Sequence, residues 1–238
     1  MKCFMKRHPR LSLREPENTS FGRASAFNKH NVDTCFNNYA DVLEKYKFHP
    51  SRIWNTDETG ISTVLQAPKV IAETGKRVVG QCVSAERGKL VTFCGVISAT
   101  GSAIPPMFVY PRVRMKGYFL HGSVPGSIGY GTKSGWMTAP VFVKLLEHIK
   151  KHTKSTPTDP ILLLMDNHET HVSVDAINYA RENGIVLLSF PPHCTHKMQP
   201  LGKAVYGPFK QKLKTSFNDH ILNNPGKPIT IYEIARLT

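Results

Sequence analysis

The sequence is poor in acidic residues and cysteines and has no long apolar run. Only 17 Asp and Glu residues face 31 Lys and Arg residues, so the formal net charge is +14. The five cysteines are scattered without a C-x-x-C pair, which argues against a disulfide framework or a cysteine-rich zinc module and fits a reducing compartment. No stretch approaches the roughly 18 apolar residues of a membrane-spanning helix, and the first residues lack the apolar centre of a secretory signal. We therefore expect an intracellular protein without a membrane partner.

The excess of positive charge indicates a partner that carries phosphates, most often nucleic acid. Basic proteins with other purposes exist, so the charge alone leaves the partner open. The chain has 238 residues, of which 40% are hydrophobic and 20% are charged. This length and composition are typical of a globular protein with one sizeable hydrophobic core.

The order of predicted elements indicates an α/β fold. Residues 110–137 read as a Gly-rich connection, and residues 1–27 as basic and irregular. The predicted elements are a helix over 28–47, strands over 52–60, 76–84, 89–98 and 104–109 with a hairpin turn at 85–88, a helix from Thr138, a strand over 161–166, a helix from Ser173, a strand over 185–190, and a last long helix that carries Val205, Phe209, Leu213 and Phe217. An antiparallel meander followed by βα units in one mixed sheet, flanked by helices, is the order of a ribonuclease H-like fold.

The same pattern divides the chain into three parts. Residues 1–48 form a basic lead-in and an amphipathic helix, 49–220 form the ribonuclease H-like domain, and 221–238 begin a C-terminal helical segment. Thr230 and Glu233 make a capping-box pattern at the start of that segment. Because the chain stops inside this pattern, we expect a truncated gene product.

Two aspartates lie where such a sheet carries its chemistry. The apolar run 161–165 predicts a strand buried on both faces, and Asp166 follows at its carboxyl end. An Asp at a strand end also commonly caps a turn, so its position alone leaves both roles open. Asp57 lies in the middle of the first strand. Glu58 follows it, but alternate strand residues face opposite sides, so we do not expect both at one site.

Four ordered blocks carry a family resemblance. They are WNTDETG at 54–60, DNHETH at 166–171, PPHCTHKMQPL at 191–201 and VYGPFK at 205–210. Together they resemble the pogo, Tigger and jerky type of transposases, DDE superfamily endonucleases of the wider mariner group. The resemblance implies that Asp57 and Asp166 are catalytic and bind Mg²⁺ or Mn²⁺, that DNA is the partner, and that the protein acts in the nucleus. It leaves a homodimer open.

The third acidic position of this pattern, directly after Q-P-L, is Gly202. No Asp or Glu occurs from Asn183 to Asn218, and Lys203 adds a cation beside the missing ligand. Phosphodiester cleavage on this architecture uses two metal ions, and two carboxylates alone would hold one ion weakly. We therefore expect a catalytically impaired domain. The alternative is an active metal-dependent endonuclease or transposase with a substitute ligand, for which His193 is the candidate.

The histidine pairs 168 and 171 and 193 and 196 have spacings that can bind zinc. Because the resemblance already accounts for them, we expect His168 and His193 instead to brace the acidic site through hydrogen bonds. Lysines near the last helix are candidate contacts to DNA phosphates, with a solvated helix surface as the alternative. These lysines are Lys197, Lys203, Lys210 and Lys214. Trp54 is expected in the core rather than as a platform for DNA bases.

Two classes of function follow from these residues. The first is a DDE-type nuclease or recombinase, and the second is a non-catalytic nucleic-acid-binding module that keeps the fold and the positive surface. Gly202 favours the second, and a degenerate fragment without function is a weaker third. No helix-turn-helix module precedes Asp57, so sequence-specific DNA recognition is not expected from this chain.

Overall fold

The computed structural model describes residues 2–13, 19–64, 71, 73–75 and 88–238. Within these residues, six strands form one mixed sheet in the spatial order β4-β3-β2-β1-β5-β6. The strands are β1 (Ile53–Ser62), β2 (Leu90–Ser98), β3 (Met107–Pro111), β4 (Ile128–Thr132), β5 (Ile161–Met165) and β6 (Ile185–Ser189). The helices are α1 (Lys2–Arg7), α2 (Phe21–Ala26), α3 (Lys29–Tyr46), α4 (Ala139–Thr153), α5 (Val174–Glu182), α6 (Thr195–Met198), α7 (Tyr206–Asn223) and α8 (Ile234–Leu237). A π-helical turn, Leu201–Val205, leads into α7.

The direction of the strands decides where the loops gather. Strand β2 is antiparallel to β1 and β3, whereas β1 is parallel to β5, β5 to β6, and β3 to β4. All strands of the described sheet except β2 therefore run the same way, and their carboxyl ends meet at one edge, which we call the carboxyl edge. Chemistry in open α/β sheets is found at this edge.

The sheet is covered on both faces by apolar helix surfaces. One core packs α4 and α5 against β1, β2, β3, β5 and β6, and the other packs α7 and α8 against β1, β2 and β3. Phe142, Leu145 and Ile149 recur on α4 at helical spacing and are fully buried, each contributing about 1.5–3 kcal/mol. Trp54 packs against the first core, as predicted. None of the helices among the described residues has the length and apolarity that crossing a membrane requires.

Strand β4 was not predicted, and it changes the topology. It pairs in parallel with β3, so the first half of the sheet is not a purely antiparallel meander. Its sequence alternates with glycines and therefore looks like a loop. A β-carbon at Gly131 would lie 2.1 Å from the carbonyl oxygen of Arg112, so the chain after β3 can pass over β4 only at a glycine.

Other predicted boundaries shift for local reasons. Strand β3 begins after Pro105 and Pro106 rather than containing them. The predicted irregular start contains the short helices α1 and α2. The predicted strand 76–84 and most of the hairpin turn 85–88 lie outside the described residues.

His148 on α4 couples folding to pH. Its Nε2 lies 2.7 Å from the carbonyl oxygen of Pro105, and its ring packs against that of His152 with centroids 4.6 Å apart. Burial lowers the pKa of His148 from its ordinary 6.5; the bond to Pro105 opposes this, while His152 and Lys151 lower the pKa further. A histidine whose pKa falls on folding stabilises the folded state above its ordinary pKa, and the contribution is lost as the pH falls.

We expect the free energy of unfolding of the unaltered protein to fall, relative to that of a His148→Gln variant, as the pH drops from about 7 to about 5. Glutamine keeps a donor for the Pro105 carbonyl, and the other ionisable groups are common to both proteins. Urea unfolding of both proteins across this range measures the difference. A difference that does not change with pH would contradict the assignment.

Candidate active site

A buried amide network joins β1, β5 and the segment after α6, which carry or adjoin the first three motif blocks. Asn55 Nδ2 donates to Gln199 Oε1 at 2.6 Å and to the carbonyl oxygen of Leu164 at 3.0 Å. In return, the backbone N–H of Leu201 donates to Asn55 Oδ1 at 3.1 Å, and Gln199 Nε2 donates to the carbonyl oxygen of Thr56 at 3.1 Å. The network fastens the segment after α6 to β1 and β5, and it gives the Asn and Gln of the first and third blocks a structural role.

Asp57 lies on the face of β1 that looks toward the start of α7. The Tyr206 hydroxyl donates to the carbonyl oxygen of Asp57 at 2.5 Å and accepts from the backbone N–H of Gly95 at 3.2 Å. A β-carbon at Gly202 would lie 3.5 Å from Asp57 Oδ2. Position 202 is therefore adjacent to the Asp57 carboxylate.

Burial raises the pKa of Asp57 to about 7. Hydrogen bonds from the Glu58 backbone and the Gln199 side chain lower it, while the charges of Asp166 and Glu58 raise it. This is the behaviour of a carboxyl whose charge is poorly compensated.

Asp166 contacts a cation of the protein itself. His171 Nδ1 lies 2.6 Å from Asp166 Oδ1, an ion pair without the direction of a regular hydrogen bond, and His171 Nε2 lies 2.9 Å from Glu58 Oε1. The His171 ring is buried and stacks on Phe142 with centroids 4.2 Å apart. Burial lowers the pKa of His171, but both carboxylates raise it, and the result is about 9. For Asp166, burial acts in the opposite sense and raises the pKa, but the contact with His171 holds that pKa below its ordinary value.

Asp57 and Glu58 use opposite faces of β1. Asp57 faces Gly202 and Tyr206, whereas Glu58 meets His171, which packs on Phe142 of α4. Glu58 is joined to Asp166 through His171. It therefore does not fill the place beside Asp57 that Gly202 leaves without a carboxylate.

The predicted histidines take different places. The backbone N–H of His168 donates to Asp166 Oδ1 at 3.2 Å, while its ring turns to Thr170. His193 is exposed, with a φ of 60°, and no contact among the described residues joins its ring to either aspartate. The ring that braces the carboxylates is that of His171. The motif block pointed to this residue, but its spacing did not show where the ring lies.

The donor set does not fit a centre of two metal ions. Among the described residues, no three or more His, Cys, Asp or Glu side chains are grouped so that they could hold a metal ion. Asp57 and Asp166 supply hard oxygen ligands of the kind that Mg²⁺ and Mn²⁺ prefer. However, His171 contacts one oxygen of Asp166, and Gly202 offers no ligand.

Positive side chains flank this site on the α7 side. Lys197, Lys203 and Lys210 are exposed, and Lys214 is half-buried. Lys197 precedes the turn that holds Gly202, Lys203 lies within that turn, and Lys210 and Lys214 lie further along α7. On the other side, the turn 132–136 after β4 exposes Lys133 and Trp136 at the carboxyl edge. The sequence did not indicate this turn, because residues 110–137 were predicted to be a Gly-rich connection.

Sequence comparison matches this chain to a family model and to a curated protein. The family model described as DDE superfamily endonuclease matches residues 87–233. A protein of Cochliobolus lunatus, the MFS-type transporter clz9, is 28% identical over 178 residues, which cover 73% of this chain and 19% of that protein. The chain therefore spans about a fifth of the length of this curated relative.

Structural comparison gives likenesses to the Mos1 transposase. Its paired-end complex with the left transposon end has a TM-score of 0.56 at 12% identity, covering 98% of this chain and 66% of that chain. The mariner Mos1 paired-end complex with Mg has a TM-score of 0.56 at 12% identity, covering 99% of this chain and 68% of that chain. The complex with Mn gives 0.55 at 12% identity, with 99% and 66% covered. These likenesses and the mixed sheet with flanking helices confirm the predicted ribonuclease H-like fold.

Proposed function

We propose, from the premise that this chain belongs to the DDE superfamily endonucleases, that it is a transposase-derived DNA-binding domain of the pogo, Tigger and jerky type with impaired strand cleavage. The observation that carries the proposal is the contact distance at position 202. A β-carbon there would lie 3.5 Å from Asp57 Oδ2, yet the residue is glycine. The domain thus lacks a carboxylate at the point where the motif pattern needs one.

DNA as the partner is supported by the distribution of charge. Two stretches without any Asp or Glu, 87–146 and 183–218, lie before and after Asp166 in the sequence. They supply the strands and turns on either side of Asp57 and Asp166. The Mos1 structures contain transposon ends, which supports the same partner for this chain. We also propose that the protein acts in the nucleus, where such DNA is found.

For the metal, we propose one weakly held Mg²⁺ or Mn²⁺ ion between Asp57 and Asp166. The Mos1 complexes with Mg and Mn support divalent ions as the choice of the family. When bound, such an ion supplies positive charge to a phosphate oxygen. The chain's own residues orient the site: the Asn55 network fixes the turn that carries Gly202, and His171 holds Asp166 in place.

The first experiment measures DNA binding and nicking by the purified protein on a labelled blunt duplex. We expect binding that weakens steeply with salt, and no nicking in Mg²⁺ or Mn²⁺. Replacing Lys203 and Lys210 together with Ser should lower the slope of log affinity against log salt by about 1.8, at 0.9 per phosphate contact. Lys151→Ser, in the last turn of α4, is the matched control and should leave the slope unchanged.

The alternative, an active endonuclease with a substitute ligand, predicts the opposite outcome for cleavage. Nicking that depends on Mg²⁺ and disappears in Asp57→Ala would overturn the impairment. If that nicking also disappeared in His193→Ala, His193 would be the substitute ligand. Failure to bind duplex at low salt would overturn the proposed DNA partner.

A further inference from the structure

We infer that the 132–136 turn is a second DNA contact, in which the Trp136 ring stacks on an unpaired base while Lys133 and Arg114 hold the neighbouring phosphates. We call these three residues the Trp136 rim. The inference rests on the proposed function, because it assumes that DNA crosses the carboxyl edge. It adds to that function a site for unpaired nucleotides.

The backbone of the turn is held by two threonine hydroxyls. Thr132 Oγ1 donates to the carbonyl oxygen of Trp136 and accepts from the backbone N–H of Gly135, both at 3.0 Å. The buried hydroxyl of Thr92 on β2 donates to the carbonyl oxygen of Gly135 at 2.7 Å. With the backbone fixed by these bonds, Lys133 and Trp136 are presented to solvent on a pre-organised support.

Trp136 is exposed without a structural reason. Its side chain is 55% exposed, whereas the next residue, Met137, is buried in the first core and anchors the chain. No other ring or cation among the described residues packs on the Trp136 ring. Trp54, by contrast, is packed against the core. An exposed indole offers a π-face, and bases stack on such faces without regard to sequence.

The sequence around Trp136 carries positive charge only. From Arg87 to Leu146 the sequence contains no Asp or Glu. Arg114 and Lys133 are exposed. They belong to loops that leave β3 and β4 at the paired residues Pro111 and Thr132, so the two loops start side by side. Cations beside an exposed ring are the combination that binds single-stranded nucleic acid.

The Trp136 rim lies within reach of the carboxylates. Thr92, which holds the turn, pairs with Gly60, and Gly60 is three residues beyond Asp57 on β1. At about 3.3 Å per residue, this places Thr92 roughly 10 Å further along the sheet than Asp57, one strand over. Thr92 shares the α4 face of the sheet with Cys94, so DNA that crosses the carboxyl edge from Asp57 and the α7 side would meet the rim on the α4 side. Only a base outside the duplex stack presents a free face there.

The test compares a blunt duplex with the same duplex carrying a single-stranded overhang. We expect the unaltered protein to prefer the overhang and Trp136→Ala to lose roughly 5- to 160-fold in affinity for it, the range for one stacked base. Binding of the blunt duplex and the melting temperature should be unchanged. Trp136→Phe keeps a ring and should retain the preference, and Lys133→Ser should lower the salt slope by about 0.7 on single-stranded DNA.

Each outcome separates this inference from the proposed function. Overhang preference that survives Trp136→Ala, with duplex binding intact, overturns the inference and leaves the proposed function standing. An equal loss on both DNAs also overturns it, because the ring would then not distinguish unpaired bases. If the protein binds neither DNA, the proposed function and the inference both fall. Lys151→Ser serves as the matched surface control.

Discussion

Replacing Gly202 with Asp should raise the affinity of the protein for Mn²⁺ by on the order of tenfold to a hundredfold. The new β-carbon would lie 3.5 Å from Asp57 Oδ2 and no closer than 3.7 Å to Gln199, which are ordinary contact distances. A β-carbon at position 202 therefore meets no clash. A third carboxylate beside Asp57 adds the hard oxygen ligand that the donor set lacks.

Calorimetric titration with Mn²⁺ measures this change without knowledge of a DNA substrate. Gly202→Asn is the matched control, since it has the same shape without the charge, and it should bind the ion like the unaltered protein. Asp166→Ala removes a ligand and should weaken binding. Two ions bound tightly by the unaltered protein would mean that another group already replaces the missing carboxylate. Equal gains from Asn and Asp would mean that charge is not the cause.

Replacing Asn55 with Ala should lower the free energy of unfolding by about 2–4 kcal/mol. Asn55 is 5% exposed, and its side chain bonds to Gln199, Leu164 and Leu201. Truncation leaves the Gln199 side-chain oxygen and the Leu201 N–H buried without this partner. Each such group costs about 1–3 kcal/mol, because water cannot replace the lost bond.

Urea unfolding followed by circular dichroism measures this loss. Asn37→Ala on the exposed surface of α3 is the matched control and should change the free energy of unfolding by less than about 0.5 kcal/mol. A loss below about 1 kcal/mol in Asn55→Ala would contradict the structural role of the network. It would mean that the turn carrying Gly202 is held by other contacts.

Some parts of the site could be predicted from sequence because they depend on local pattern. The apolar run of β5 and the amphipathic face of α4 are local, and both were predicted closely. Strand β4 was missed because it contains glycines, which are rare in strands. Gly131 is needed there because the neighbouring loop passes too close for a side chain. The position of His171 between Asp166 and Glu58 depends on a contact across more than a hundred residues, which spacing does not encode. The exposure of Trp136 was equally hidden, because it depends on what surrounds the ring.

The Tyr206 hydroxyl bridges β1 and β2 at the paired residues Asp57 and Gly95. It thereby pins the start of α7 to the strand position that bears the carboxylate. Any movement of the start of α7 along β1 would have to break this bridge, so position 202 is kept next to Asp57 by a contact that does not involve residue 202 itself. The glycine at 202 therefore changes the chemistry available beside Asp57 and leaves this bridge intact.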